Sequence, residues 1–138
     1  MRHFVADSSV VVSWIIEDEY SPQADALLDS LAQGAVVEAP VLLRYEVSNV
    51  LVTAFTRRKR LSKESCDAGL ADFDSLPIRY DLESPRFATR GISELAEKHL
   101  LSVYDAAYLE LALRRSLPIA TQDVQLKEAA KKLGVEVL

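Results

Sequence analysis

The sequence predicts an α/β domain with a mainly parallel central sheet flanked by helices, and three observations carry that prediction. Short segments of β-branched and aromatic residues alternate with longer segments of helical period. Acidic residues recur where a predicted strand ends or a predicted helix begins. The 138 residues, 49% of them hydrophobic, suffice for one core and leave little over, so a single domain spanning 1–138 is expected.

Taken in order, the first strand is 4–6, and it runs into Asp7-Ser8-Ser9 and a helix that carries Trp14. Ala24, Leu27, Leu28 and Leu31 follow the i, i+3, i+4, i+7 rule of an amphipathic helix. A second strand covers 36–39; after Pro40, the residues Val47, Val50, Leu51 and Ala54 mark a third helix. The third strand is 78–80. Leu82 to Pro85 form a loop, with Ser84 and Pro85 starting a helix over 86–99. The stretch 103–113 is apolar nearly all round and is expected to be the most buried helix. A fourth strand at 118–121 leads to a last helix on Leu126, Ala129, Ala130 and Leu133, closed by Gly134 in a left-handed cap, and 135–137 reads as a fifth strand.

Composition excludes several classes. The apolar runs fall far short of the ~20 residues a membrane span needs. Met1 to Asp7 lacks the apolar stretch of a secretory signal, so a cytoplasmic location is expected, with no membrane partner. Cys66 is the only cysteine, which rules out an internal disulfide and a multi-cysteine zinc site. No G-x-S-x-G surrounds a serine and the four glycines are scattered, so nucleophile-elbow, P-loop and dinucleotide-binding readings fail. His3 and His99 are too isolated for a zinc pair. The net charge of −5 argues against a polyanion ligand, but setting aside four site acids leaves −1, and a bound cation would reverse their local field. Arg57 to Arg60 is the one dense basic run; it reads as a solvated helix end or as a phosphate contact.

The four acids are Asp7, Glu46, Asp105 and Asp123. Asp7 and Asp123 each have an ordinary role as helix N-caps, and Ser102 with Asp105 matches a capping box. Glu46 lies inside a helix, where capping cannot explain it, and Asn49 projects from the same side. In open parallel sheets, ligands bind beyond the C-terminal strand ends where strand order reverses, and this topology brings Asp7, Asp123 and Asp105 to that edge. Two carboxylates ~4 Å apart repel by roughly 4 kcal/mol at an effective dielectric of 20, so a cation is expected among them. With only oxygen donors at hand, and the hydroxyls of Ser9 and Thr121 beside them, Mg²⁺ or Mn²⁺ suits the set better than zinc.

These residues carry a family resemblance. Asp7-Ser8-Ser9-Val10-Val11, Glu46-Val47-Ser48-Asn49-Val50-Leu51, Tyr104-Asp105-Ala106-Ala107-Tyr108-Leu109 and Ala120-Thr121-Gln122-Asp123, in that order and spacing, resemble a PIN-domain ribonuclease of the VapC type. The resemblance implies a Rossmann-like sheet and a metal-dependent endoribonuclease, the toxin of a toxin-antitoxin pair. Asp7 and Asp105 would then be the principal metal ligands, with Glu46 and Asp123 completing the pocket. Ser9 and Thr121 would orient waters or an acid. The reaction implied is in-line attack of water on phosphorus, aided by the metal, leaving a 5′-phosphate and a 3′-hydroxyl. Implied partners are an RNA substrate, a cognate antitoxin whose tail fills the acidic groove, and operator DNA through the antitoxin only. A homodimer is also implied, with Leu27 to Leu31 or Val50 to Phe55 as candidate faces.

Three other readings stay open: a non-catalytic interaction module of the same fold, a DNA- or structure-specific nuclease, and a phosphoryl-accepting receiver. The last needs paired acids after the first strand, where Asp7-Ser8-Ser9 supplies one. Trp14 reads as core or as a base-stacking group, Arg44 as surface or pocket edge, and Asp81 as a turn residue.

Overall fold

Four parallel strands form the sheet of the computed structural model, which describes residues 2–17 and 21–138. They are β1 (His3–Ala6), β2 (Val36–Pro40), β3 (Ile78–Asp81) and β4 (Ile119–Ala120), in the order β3-β2-β1-β4. The side chains of β1, β2 and β4 are nearly all buried, as expected of a parallel sheet covered on both faces, whereas the edge strand β3 buries only Asp81 fully. The order makes β1 the strand from which the chain first winds one way, through β2 and β3, and then returns to the other side as β4. The reversal therefore lies between β1 and β4. In-register pairing of Val5 with Ile119 and Ala6 with Ala120 brings the next residues, Asp7 and Thr121, side by side at the C-terminal edge.

The helices are α1 (Ser8–Ile15), α2 (Pro22–Ala32), α3 (Leu42–Thr56), α4 (Lys63–Ser75), α5 (Ser93–His99), α6 (Val103–Arg115) and α7 (Val124–Lys132). Right-handed crossovers put the β1–β2 and β2–β3 connections on one face and the β3–β4 connection on the other. Accordingly α1 to α4 pack among themselves, and α6 lies on β1 and β2 with α5 and α7 against it. As expected, α6 is the most buried helix, with Ala106, Ala107, Tyr108, Leu109, Leu111 and Ala112 all inside. Gly69 lets α4 approach α3 closely: a Cβ there would stand 2.9 Å from a Leu51 methyl. Gly134, at φ +77°, is the left-handed cap its sequence position predicts, with Val135 N–H reaching Ala130 O at 2.9 Å.

Three expectations need correcting. The expected helix over 86–99 is instead a 3₁₀ turn (Ser84–Phe87), a π turn (Ala88–Ile92) and the short α5, because Arg90 leaves helical geometry at φ −128°, ψ −110°. The fifth strand reduces to one parallel bridge, Ile119 with Val137, since the chain has only the two-residue β4 to pair with. Asp81 is no simple turn residue: it is 2% exposed and receives Arg114 at 2.6 Å and Arg115 at 3.0 Å. Of the residues left open, Trp14 is tied to α2, its indole N–H donating to Ala24 O at 2.6 Å. Arg44 pairs with Asp74 at 3.1 Å and lies over Tyr80. Among the described residues no helix is long and apolar enough to cross a membrane.

Candidate functional site

Asp7 caps α1, accepting the Val10 N–H at 3.3 Å, and it is 4% exposed. Both its carboxylate oxygens are held by hydroxyls: Ser9 Oγ donates to one at 2.6 Å and Thr121 Oγ1 to the other at 2.5 Å. Each hydroxyl in turn accepts a backbone N–H, Ser9 from Gln122 and Thr121 from Asp123, both at 3.0 Å. The corner after β1 is thereby stitched to the corner after β4, and Asp7 is fixed in one orientation. Burial pushes its carboxyl above the usual range against the opposing pull of those donors, and the charge of Asp105 pushes it further.

Glu46 stands one turn into α3, half-buried, and accepts a 2.5 Å hydrogen bond from Tyr108 Oη. Burial raises its pKa too, and the charges of Asp105 and Asp7 add to the rise, while the Tyr108 and Ser8 hydroxyls oppose it. Burial, Glu46 and the neighbouring acids together hold the Tyr108 hydroxyl far above its ordinary range, so it acts only as a neutral donor. Asp105 sits in the first turn of α6, whose N-cap Ser102 accepts the Asp105 N–H at 3.0 Å. Its carboxyl is raised by burial and by Asp123. Asp123 caps α7 through the Leu126 N–H at 2.9 Å. Capping thus explains how Asp7 and Asp123 are held, and both also belong to one electrostatic group.

The expected acids therefore share a field: Asp7, Glu46 and Asp105 each feel another, and Asp105 feels Asp123. Among the described residues none of the four is in an ion pair. Thr121 and Ser9 orient an acid, Asp7. Asn49 is exposed and its amide is not joined to Glu46. Tyr108 and Ser8 also belong to the site. Tyr108 could have been found from its place three residues after Asp105, on the same side of α6.

Oxygen is the only donor type on offer, which suits a hard divalent cation. Among the described residues no three histidine, cysteine or acidic side chains already converge into a cage for a metal ion. Mg²⁺ does not need such a cage, since it commonly keeps several waters and takes one or two direct carboxylates. Mutually repelling acids held by neutral donors are the chemical ground for such an ion.

Residues 4–132 match the PIN domain family model. The chain belongs to the PIN domain family. Among curated proteins it is 29% identical over 124 residues to "Ribonuclease VapC3" of Pyrobaculum aerophilum, covering 90% of this chain and 92% of that one. Among solved PIN-like structures, PAE2754 from Pyrobaculum aerophilum superposes with a TM-score of 0.68 at 20% identity, covering 99% of this chain and 83% of that one. VapBC2 from Rickettsia felis, solved bound to a DNA fragment from its promoter, gives 0.67 at 14%, covering 99% and 97%. These likenesses support the fold, including the parallel sheet and its helical layers.

Proposed function

We propose that this PIN domain is a divalent-metal-dependent endoribonuclease, the toxin of a VapC-type toxin-antitoxin pair. The observation that carries the reading is a group of buried and half-buried carboxylates, Asp7, Glu46 and Asp105, each raised by burial and by the charge of a neighbouring acid, with no ion pair to any of them among the described residues. The relative named a ribonuclease supports the substrate class, and the relative solved as VapBC2 with promoter DNA supports an antitoxin partner.

Asp7 and Asp105 would hold Mg²⁺ or Mn²⁺, with Glu46 and Asp123 completing the acidic pocket. The bound ion would supply positive charge to the phosphorane-like transition state and make a nearby water more acidic. Ser9 and Thr121 keep Asp7 aimed, so that no rotamer search precedes binding. Tyr108 does the same for Glu46, which is free to take a proton from water because its pKa is raised. The homodimer belongs to the same reading, and Val50 and Val52, both exposed on α3, are the apolar side chains it would cover.

The test is cleavage of labelled single-stranded and transfer RNA with Mg²⁺, Mn²⁺ or EDTA, by the purified protein and by Asp7→Asn. Cleavage that needs metal and falls to background in Asp7→Asn is expected. No cleavage of total cellular RNA by protein free of antitoxin would move the reading to a non-catalytic interaction module, and cleavage of matched DNA alone to a DNA nuclease.

A further inference from the structure

At the starts of α3 and α6, the helices that carry Glu46 and Asp105, lies a pocket of about 200 Å³ that the mechanism above does not use. Pro40 and Leu42 form one wall where β2 enters α3, one turn before Glu46. Tyr104 and Ala107 form the facing wall, on the first turns of α6, with Asp105 between them in sequence. Pro85 and Ile92 complete it. The Ser84 hydroxyl on its rim is already engaged by Asp81 at 2.6 Å. No charged side chain lines it. Tyr104 is 62% exposed at the mouth, although the helix that carries it is the most buried in the molecule.

We infer that this pocket is a base-binding subsite of the same reaction centre, with Tyr104 as the stacking residue that positions the RNA. The inference rests on the ribonuclease reading. A phosphodiester held at the acids brings a base with it on each side, and proteins seat unstacked RNA bases on aromatic side chains. Charge selects the occupant. The neighbouring acids repel an acidic peptide or free phosphate, and no cation lines the pocket to hold one. A neutral, flat, aromatic base meets only apolar walls and a tyrosine face. Because the lining is apolar apart from Ser84 and the Tyr104 hydroxyl, the subsite binds a base by its face and sets register rather than sequence.

The test walks a single abasic nucleotide along the positions flanking the cleavage site of a single-stranded RNA and follows single-turnover cleavage with Mg²⁺. At one position the missing base should weaken KM about tenfold or more, the range expected for lost stacking. Tyr104→Ala should cost the same on intact RNA and nothing further on the abasic RNA, whereas Tyr104→Phe and Tyr104→Trp should restore wild-type behaviour. Ala107→Leu, which fills the pocket, should mimic Tyr104→Ala. Tyr104→Ala that cleaves as wild type, or that keeps the full abasic penalty, overturns the subsite while leaving the ribonuclease reading intact. Wild type that cuts no RNA overturns both. A Tyr104→Ala effect confined to capture of the antitoxin tail, with RNA kinetics unchanged, assigns the pocket to a protein partner instead and overturns the inference.

Discussion

Asp7 and Asp81 both stand at the C-terminal ends of parallel strands, and both are almost fully buried, at 4% and 2% exposure. Their surroundings are opposite. Asp81 receives two guanidiniums, Arg114 and Arg115, and the hydroxyl of Ser84. Burial alone would raise its pKa, but those partners outweigh it and hold the carboxyl well below the ordinary range. The same arginines reach on to Glu110 and Glu38, and Glu38 also meets His3 at 2.9 Å, so one ionic network ties β2 and β3 to the end of α6. Asp7 has only neutral donors, and its carboxyl is pushed up. A buried acid whose cation comes from the chain is a structural part. One held by neutral donors alone keeps its charge available to a ligand, and folding bears a cost for it.

The largest test of this contrast is Asp81→Asn. It leaves Arg114 and Arg115 short of a partner in a partly buried place, and should cost about 3 kcal/mol by urea denaturation at pH 7. Because the folded pKa of Asp81 lies below its unfolded value of roughly 3.9, its contribution is complete above that value and is lost as pH falls through the folded one. The gap between wild type and variant should therefore stay constant from neutral pH to about 5 and close only in stronger acid. A loss under about 1 kcal/mol would reduce the network to an ordinary surface array.

Removing charge at the other cluster should act in the reverse direction. The folded pKa of Asp105 is raised, so its contribution is favourable below the unfolded value and is lost as pH rises through the folded one. At pH 7 in EDTA, Asp105→Asn should be more stable than wild type by about 1 kcal/mol or less, since its half-buried position screens part of the repulsion. Thermal melts should register a gain of about 2–4 °C that shrinks toward pH 4. Destabilisation at pH 7 would mean that Asp105 works chiefly as a helix-capping group.

How much of this was legible in sequence follows the same division. Asp7, Asp105 and Asp123 announced themselves because strand ends and helix starts are local signals, and the parallel register then carried them to one edge. The alternation of strands and helices predicted the sheet for the same reason. Asp81 has a strand-end position too, but its role depends on Arg114 and Arg115, over thirty residues away, and no local pattern links them. Tyr108 reads as one more core residue of an apolar helix until its hydroxyl is seen against Glu46, 62 residues earlier. Helix α4 is not among the elements expected from sequence, although Cys66, Gly69, Leu70 and Phe73 stand at helical spacing. The break at Arg90 has only a weak local signal, the adjacent Gly91, because Ser93, Glu94 and Ala96 continue a helical pattern beyond it.

The smallest expected effect is the most specific to the contrast. Every donor that holds a site acid is neutral: Ser9 and Thr121 on Asp7, Tyr108 and Ser8 on Glu46. A neutral donor aims a carboxylate without cancelling its charge, which an arginine would do. Tyr108→Phe keeps the buried ring and deletes only the hydroxyl, so it should cost about 1 kcal/mol of stability or less. Glu46 would then be free to leave its orientation, and RNA cleavage should fall about tenfold in kcat with KM little changed, as expected when a catalytic group is misplaced and binding is not. Because the lost hydrogen bond favoured the ionised form, Glu46 should also titrate higher in the variant, moving the acid limb of the rate profile toward neutral pH. An unchanged pH profile with an unchanged kcat would make Tyr108 a core side chain whose hydroxyl merely found a nearby acceptor.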